Sequence, residues 1–380
     1  MGRFPFPQNQ RLPHLTYPRQ ADAADARAAF ERWRDEIVTS DGARGGLRTR
    51  RPDTPDGQAN STVSEGIAYG MLISVMFDDQ AMFDGFWTYA RCFLNKSGLM
   101  DWYIAPDGQK PIAVGAASDA DEDMAWALIM ADRQWGGGGS LGESYISIAR
   151  RLIEAIYETE VDHDRWPDMF LPGDDWRGRD VFNPSYFAPN QYRLFGEVSG
   201  KQGDWQRVVD RGYEVIERSL NDASGNRESG LVPAWCDSAG TPVEAFPGAM
   251  TNYQYDSARL PFRMAQDVAF YRDARAQAYL GKTSAFFAAI GADALVDGYT
   301  LDGKPAPDPR SPAQNPGSAV FVACAAAGAM HDPKYADFVD AAYARVRTGR
   351  LLTRSRYYNH CWTVLGLLML TGNLIEFPTR

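Results

Sequence analysis

Apolar residues recur along most of this chain at the three- and four-residue spacing of α-helices, and loops rich in glycine, proline and aspartate separate the periodic stretches. The pattern predicts about twelve helices. They are expected near residues 24–38, 64–77, 80–94, 119–135, 141–160, 187–198, 204–220, 256–271, 273–295, 317–330, 333–348 and 360–371. Short β-hairpins are expected in the loops near 99–114 and 228–243. Because no long low-complexity linker interrupts the pattern, we predict one domain over 1–380, in which an extended segment over 1–23 precedes a helical barrel over 24–375.

The predicted helices are of two kinds. The stretches at 318–329 and 361–370 are apolar on almost every side, whereas the stretch at 26–37 has one apolar stripe and one charged face. Helices of the first kind belong in an inner layer and helices of the second kind in an outer layer. An even number of helices in two such layers predicts an all-α fold, an (α/α) barrel.

Charge and composition narrow the range of partners. The 380 residues carry a formal net charge of -10, which repels phosphate backbones and anionic lipid, so we expect neither nucleic acid nor a membrane as a partner. No apolar run approaches the roughly 20 residues that a membrane span requires, and the first residues lack the apolar stretch of a secretory signal. Aromatic residues make up 12 % of the chain, which suits a ligand with flat apolar faces such as a sugar, although core packing accounts for most individual rings.

The cysteines and histidines show no metal-binding pattern. They do not occur at the short spacings of zinc knuckles, CxxC motifs or HExxH helices. The residues concerned are Cys92, Cys236, Cys324 and Cys361, with His14, His163, His331 and His360. We therefore expect no metal and no other cofactor.

Three short acidic segments, at 64–66, 117–123 and 255–259, each open an apolar helical pattern. Three helix starts of this kind, rich in small residues and tyrosine, indicate one pocket rather than three separate caps. The second segment, Ala-Ser-Asp-Ala-Asp-Glu-Asp, crowds three aspartates and a glutamate at one helix entrance, so we expect some of them to bind a ligand. A solvated acidic turn remains an alternative, as does a calcium loop, but the glycine and the distal glutamate of an EF-hand are missing.

Glu65 lies in the first acidic segment. Ser64 is expected to cap the helix, and Gly66, Ala68 and Gly70 leave room for a ligand beside the carboxylate. Taken alone, Glu65 is better explained by a capping role only.

Asp256 lies in the third acidic segment, between Tyr255 and Ser257 and one turn before Arg259. A phenol and a guanidinium are therefore available to orient its carboxylate. An ordinary ion pair between Asp256 and Arg259 is the alternative.

Several aromatic residues lie in loops or at helix starts without an obvious core face. Exposed rings in such places are frequently ligand platforms, although packing is the alternative for each one. They are Trp102, Trp176, Tyr186, Tyr357 and Tyr358. Separated carboxylates together with aromatic platforms indicate hydrolysis of a glycosidic bond.

The same motifs carry a resemblance to a known family. The segments Val-Ser-Glu-Gly-Ile-Ala-Tyr-Gly-Met-Leu, Ala-Ser-Asp-Ala-Asp-Glu-Asp-Met-Ala-Trp-Ala-Leu, Asn-Pro-Ser-Tyr-Phe-Ala-Pro, Tyr-Asp-Ser-Ala-Arg and Val-Asp-Gly-Tyr-Thr follow one another in the family's order. Over about residues 24–375 the chain resembles glycoside hydrolase family 8, and most of all its bacterial endo-β-1,4-glucanases. The resemblance implies an (α/α)6 barrel of six inner and six outer helices, an inverting mechanism and a long cleft for several sugar units.

The resemblance also implies roles for single residues. Glu65 matches the general acid, Asp256 matches the general base in members that keep an aspartate there, and Asp119 matches a residue that holds the distorted sugar. Tyr186 matches a tyrosine that positions the attacking water, and Arg259 falls where the family has an arginine beside the base. Chemistry agrees, because an inverting enzyme needs one protonated and one ionised carboxyl. Small apolar neighbours and Asp119 should keep Glu65 neutral, whereas Arg259 and tyrosine hydroxyls should keep Asp256 charged.

Trp102 and Trp176 match stacking residues along the family's cleft. The resemblance does not fix which sugar binds there. We expect internal β-1,4 cleavage of cellulose, carboxymethylcellulose or mixed-linkage β-glucan, by a secreted monomer whose signal peptide is not part of this chain. Alternatives are a xylanase, an exo-oligoxylanase or a chitosanase of the same family. A sugar-binding protein without activity is a further alternative, as is an isomerase or lyase that uses His360.

Overall fold

The computed structural model describes residues 2–54, 56–306, 317–352 and 356–379. Twelve α-helices form the body of this part of the chain. They are α1 (Ala23–Ile37), α2 (Ser64–Met76), α3 (Gln80–Ala90), α4 (Ser118–Gln134), α5 (Tyr145–Glu160), α6 (Pro189–Ser199), α7 (Gln202–Ser219), α8 (Leu260–Tyr271), α9 (Ala274–Ile290), α10 (Ala319–Ala329), α11 (Ala336–Arg347) and α12 (Arg356–Leu370).

The even-numbered helices form a closed inner ring. Around this ring α2 contacts α4, α4 contacts α6, α6 contacts α8, α8 contacts α10, α10 contacts α12, and α12 returns to α2. Each odd-numbered helix packs on the outside, with α3 on α2, α5 on α4, α7 on α6, α9 on α8, α11 on α10 and α1 on α12. The prediction of an all-α fold, an (α/α)6 barrel of six inner and six outer helices, is confirmed.

The sequence explains which helices lie inside. Almost every residue of α2, α10 and α12 is buried, because side chains that are apolar all round require neighbours all round. By contrast α5 and α7 bury one stripe each and expose the opposite face to solvent. The core therefore fills both the centre of the ring and the space between the two layers.

Five predicted helix bounds miss by four or five residues, and two of these differences have a clear local reason. The stretch predicted as a helix from residue 256 begins with a 3-10 turn, Ser257–Arg259, and α8 starts only at Leu260. Pro261 then occupies the first turn of α8, where its missing N–H costs no hydrogen bond. The helix predicted to reach residue 295 ends at Ile290, because Gly291 adopts a φ of 83°.

The described strands are short and join loops at the rim. They are β1 (Val38–Thr39), β2 (Arg48–Thr49), β3 (Thr62–Val63), β4 (Tyr103–Ile104), β5 (Pro111–Ala113), β6 (Val161–Asp162) and β7 (Met169–Phe170). The antiparallel pair β4–β5 confirms the hairpin predicted near 99–114. The hairpin predicted near 228–243 is reduced to one antiparallel bridge, Cys236–Pro242, with backbone hydrogen bonds from Asp237 to Thr241 and from Val243 to Trp235 on either side. Proline lacks the N–H that a continuous ladder requires.

The N-terminal segment spans one end of the barrel. The amide of Arg3 donates to the carbonyl of Gln134, that of Gln10 to Gly372 and that of Thr16 to Met330, all at or just beyond the C-terminal ends of inner helices. This arrangement covers that end and leaves the N-terminal ends of the inner helices facing the other way. Within the described ranges, every helix is too short or too polar to cross a bilayer.

Candidate active site

The N-terminal ends of four inner helices bring the predicted acidic residues together. Glu65 lies in the first turn of α2 and Asp119 in the first turn of α4, whereas Asp256 and Arg259 immediately precede α8. Tyr357 lies in the first turn of α12. The positive ends of the helix dipoles point toward this site, which favours the binding of carboxylates there.

One guanidinium joins the three acidic segments. Arg259 is fully buried, and its Nη1 donates to Oε2 of Glu65 at 2.9 Å and to Oδ2 of Asp119 at 2.5 Å. Its Nη2 donates to Oδ1 of Asp256 at 3.2 Å. A buried cation shared by three carboxyl groups leaves an excess of negative charge, so the cluster favours retention of a proton on one of them.

Glu65 is the carboxyl that keeps this proton most readily. Burial raises the pKa of Glu65 to about 7, against the lowering effect of Arg259 and with a further rise from the charge of Asp119. The hydroxyl of Tyr357 donates to its Oε1 at 2.5 Å and also opposes the rise in pKa. The side chain retains 19 % exposure, so it is open to a ligand from one side. Glu65 is therefore largely protonated below pH 7 and about half protonated at neutral pH.

Asp256 is the most accessible member of the cluster. Its side chain is 30 % exposed, compared with 2 % for Asp119. The amide of Gln254 donates to Oδ2 of Asp256 at 2.9 Å, in addition to the contact from Arg259. The neighbouring hydroxyl of Tyr255 donates to Asp297 at 2.8 Å. An amide therefore occupies the place that we expected for a tyrosine hydroxyl.

Two expectations about the surroundings of Glu65 are wrong. The residue at the N-cap of α2 is Val63, which makes no side-chain capping bond, and Ser64 is already helical. The space beside the glycines is filled by protein: a Cβ on Gly66 would lie 2.4 Å from Oγ1 of Thr49, and one on Gly70 would lie 2.6 Å from the ring of Phe86. These glycines therefore permit close packing around α2 rather than approach of a ligand.

Only one of the crowded acids in α4 reaches the Arg259 cluster. All four are buried, so the solvated-turn alternative is wrong. Asp123 pairs with Arg263 at 2.5 Å, and Oε2 of Glu122 accepts from the hydroxyl of Tyr192 at 2.8 Å. Asp121 accepts a long 3.4 Å bond from the amide of Met100. Asp119 alone contacts Arg259 because the helix rotates the others toward α5, α6 and α8.

The predicted aromatic residues differ in what they offer to a ligand. Trp102 is 38 % exposed and lies on Tyr103, with ring centroids 4.9 Å apart. Trp176 is half-buried, and Tyr186 covers Arg259 at 5.1 Å from its ring centroid. By contrast Tyr357 and Tyr358 are nearly buried and contribute hydroxyls rather than ring faces. The hydroxyl of Tyr358 donates to the carbonyl of Tyr255 at 3.4 Å.

Sequence reasoning missed three residues of this site. The hydroxyl of Tyr69 accepts from Nη1 of Arg259 at 3.3 Å, and Gln254 contacts Asp256. Trp235 stacks on Trp176, with ring centroids 5.5 Å apart and 8° between the planes. Tyr69 follows Glu65 by one helical turn, a spacing that would have revealed it. Trp235 lies in a proline-containing loop like the aromatic residues that were singled out.

His360 lies away from the acidic cluster. Its ring is buried on α12, and Nε2 is 3.3 Å from Oε2 of Glu36 in the outer helix α1. This position gives no support to the alternative of a catalytic histidine. In the part of the chain that the structure describes, acidic, cysteine and histidine side chains are not grouped in threes as a metal ion would require.

A sequence model of the family described as glycosyl hydrolases family 8 matches residues 4–372. The chain belongs to this family. As a family 8 member it is a glycoside hydrolase, and the resemblance read from its motifs is confirmed.

The relatives of this family 8 enzyme carry different names. Over 381 residues it is 37 % identical to Endoglucanase 2 of Ruminiclostridium josui, and the alignment covers 98 % of this chain and 77 % of the relative. It is 26 % identical over 328 residues to the reducing-end xylose-releasing exo-oligoxylanase Rex8A of Paenibacillus barcinonensis, which covers 82 % of this chain and 81 % of the relative. The solved β-1,3-1,4-glucanase from Paenibacillus sp. X4 superposes with a TM-score of 0.85 at 24 % identity, over 97 % of this chain and 98 % of that one, which shows a shared fold.

Proposed function

We propose that this family 8 enzyme cleaves internal β-1,4 bonds of a glucan chain and inverts the configuration at the anomeric carbon. The substrates are cellulose, carboxymethylcellulose or mixed-linkage β-glucan. The observation that carries the proposal is the single buried guanidinium of Arg259 that contacts Glu65, Asp119 and Asp256. The name of the relative that is 37 % identical supports a glucan as substrate.

Glu65 is the general acid of this proposal and Asp256 the general base. Glu65 donates its proton to the leaving glycosidic oxygen, and Asp256 removes a proton from the water that attacks the anomeric carbon from the opposite face. Oε2 of Glu65 and Oδ1 of Asp256 contact neighbouring nitrogens of one guanidinium. They are therefore no farther apart than the roughly 9.5 Å upper limit for inverting pairs. The greater exposure of Asp256 supports its role as the group that meets water.

The net charge of the site stays constant through the reaction. One proton leaves Glu65 and one arrives on Asp256, so the cluster has the same net charge before and after bond cleavage. Because the guanidinium contacts both carboxyl groups, it stabilises whichever one is ionised. Asp119, fixed on the same Nη1, holds the distorted sugar, and Tyr186 positions the attacking water beside Arg259.

The remaining site residues bind the glucan. Trp102 and Trp176 stack against sugar faces, for which the exposed ring of Trp102 is suited. Tyr357 and Tyr358 form the wall beside the acid through their hydroxyls. Loss of one such contact should weaken binding more than it slows the chemical step.

The test follows the cleavage of cellohexaose by proton NMR. We expect products from internal cuts whose new reducing ends appear first as the α-anomer, because inversion converts a β-bond into an α-product. New ends that appear first as the β-anomer would overturn the roles given to Glu65 and Asp256. Parallel assays of reducing ends on cellulose, mixed-linkage β-glucan, xylan and chitosan identify the preferred polymer.

Cleavage of xylo-oligosaccharides is the second candidate, and the 26 % identity to Rex8A favours it over chitosan. Xylose differs from glucose by one hydroxymethyl group, which a sugar pocket discriminates only modestly. Release of single xylose units from reducing ends, without cleavage of glucan, would establish it. Binding of cello-oligosaccharides without turnover would instead identify a sugar-binding protein.

We also propose that the enzyme is secreted and acts as a monomer. A polymeric glucan cannot enter a cell, so its hydrolysis requires export of the enzyme. The net charge of -10 disfavours self-association through electrostatic repulsion. Light scattering coupled to size exclusion should give a mass near 42.2 kDa, and twice that value would overturn the monomer.

A further inference from the structure

Phe246 is an exposed ring in the loop that follows Trp235. The large apolar side chains that the described residues expose are few, namely Leu94, Trp102, Ile112, Val114 and Phe246. The ring of Phe246 is 50 % exposed. A single exposed apolar residue needs no special explanation. Its neighbours, however, connect this one to the reacting centre.

Phe246 ends a row of three aromatic rings, Tyr186, Trp235 and Phe246, that starts beside Arg259. The guanidinium of Arg259 lies 5.1 Å from the ring centroid of Tyr186, and Tyr186 meets Trp235 at 6.0 Å. Phe246 then contacts Trp235 at 6.0 Å, with 76° between the planes. Trp176 stacks on the same Trp235. Trp235 itself is nearly buried, so it supports the row and leaves Phe246 as its solvent-facing end.

Backbone hydrogen bonds fix the loop that carries Phe246. The amide of Val243 donates to the carbonyl of Trp235 at 3.1 Å, and the amide of Ala234 donates to Asn252 at 3.1 Å. These two hydrogen bonds tie both ends of the loop to Ala234 and Trp235. The carbonyl of Phe246 accepts from Ala249 at 2.8 Å and closes a tight turn. The ring is therefore held at the surface by its own backbone rather than left there by loose packing.

We propose that Phe246 forms a distal sugar subsite, which binds a glucosyl unit of the same chain beyond the units next to Glu65 and Asp256. This inference rests on the proposed function. The occupant follows from continuity, because Phe246 and the proposed sugar platform Trp176 pack against the same supporting ring, Trp235. An exposed aromatic ring matches the flat apolar face of a sugar. Phe246 is thus a specificity-determining residue for chain length.

The test compares short and long substrates in matched variants. The proteins are the parent, Phe246→Ala, Phe246→Tyr and Leu94→Ala, the last removing an exposed apolar side chain that follows α3 instead. Phe246→Ala should lower kcat/KM for cellohexaose roughly three- to tenfold, the scale of one aromatic contact, through KM more than kcat. Cellotetraose cleavage should be unchanged, Phe246→Tyr should restore the loss, and Leu94→Ala should resemble the parent.

The outcomes separate this inference from the proposed function. An equal effect of Phe246→Ala on both oligosaccharides would overturn the distal subsite, and so would the absence of any effect on cellohexaose. A fall in thermal stability together with a uniform loss of rate would likewise assign Phe246 to structure alone. If the parent cleaves only xylo-oligosaccharides, the glucanase proposal fails. The same length comparison on that series then decides whether Phe246 is a subsite.

Discussion

The hydroxyl of Tyr357 donates a 2.5 Å hydrogen bond to Oε1 of Glu65, while Arg259 holds Oε2 of the same carboxyl at 2.9 Å. Both contacts favour the carboxylate, whereas burial favours the acid, and the balance raises the pKa of Glu65 to about 7. A proton donor is most effective when its pKa lies near the working pH. Residues of two helices that are distant in sequence, α2 and α12, therefore help to set the pKa of one carboxyl.

Tyr357→Phe should move the alkaline limb of the pH profile to higher pH. The lost hydrogen bond lowers the pKa of Glu65, so its removal raises that pKa further. Activity that needs protonated Glu65 disappears as pH rises through this value, and a higher pKa delays the loss. Loss of a hydrogen bond to a charged carboxylate should move the alkaline limb of the kcat/KM profile by roughly one pH unit.

Tyr358→Phe is the matched control for this measurement. Its hydroxyl contacts the carbonyl of Tyr255 and not the carboxyl of Glu65. The limb should therefore stay in place in this variant. A limb that moves to lower pH in Tyr357→Phe would contradict the assignment of Glu65 as the acid.

Glu65→Gln and Asp256→Asn should each lower kcat by roughly a hundredfold or more, the usual contribution of a positioned proton donor or acceptor. Both changes preserve the size of the side chain, so binding of cello-oligosaccharides, measured by calorimetry, should persist. Asp175→Asn, an exposed carboxylate next to Trp176, should retain activity close to that of the parent. Near-normal turnover by either amide variant would require a different acid or base.

Arg259→Lys should remove nearly all activity. An ammonium group presents a single point of charge and cannot reproduce the planar donors that contact Glu65, Asp119 and Asp256 together. Breaking a buried ion pair also costs about 3–5 kcal/mol of stability, so urea unfolding must be measured alongside kcat.

Arg263→Lys separates the two effects. Arg263 lies one turn further along the chain and pairs with Asp123 rather than Asp119. We expect a comparable loss of stability with a much smaller loss of kcat. Equal losses of activity in both variants would mean that Arg259 acts only through folding.

The fold could be predicted because its signal is repeated and local. The stretches at 318–329 and 361–370 are apolar on all sides and therefore require burial on all sides. Few helical folds bury half of their helices in this way, as the inner ring of a two-layer barrel does. Glu65 and Asp256 could be singled out because acidic residues in apolar helix starts are costly without partners, whereas only the family resemblance distinguished Asp119 from its acidic neighbours. Their common partner could not be derived, since Arg259 resembles any arginine one turn after an aspartate. The packing around Gly66 and the contact of Gln254 with Asp256 depend on segments that are distant in the chain.

At the opposite end of the barrel, Glu376 is paired with Arg133 at 3.4 Å, and this pair should make stability depend on pH. Burial raises the pKa of Glu376 from 4.5 to about 7, despite the opposing effect of Arg133. Between these values the folded protein keeps a proton that the unfolded chain has released, so stability must fall as pH rises. The loss is complete above the folded pKa and amounts to roughly 1–3 kcal/mol. Glu376→Gln should therefore lose less free energy of unfolding between pH 5 and pH 8 than the parent, as measured by urea titration. Glu197→Gln removes a more exposed charge that contributes to the raised pKa of Glu376, so it should reduce the decline by less than Glu376→Gln does. If Glu376→Gln retains the full decline, the proton resides on another buried carboxyl.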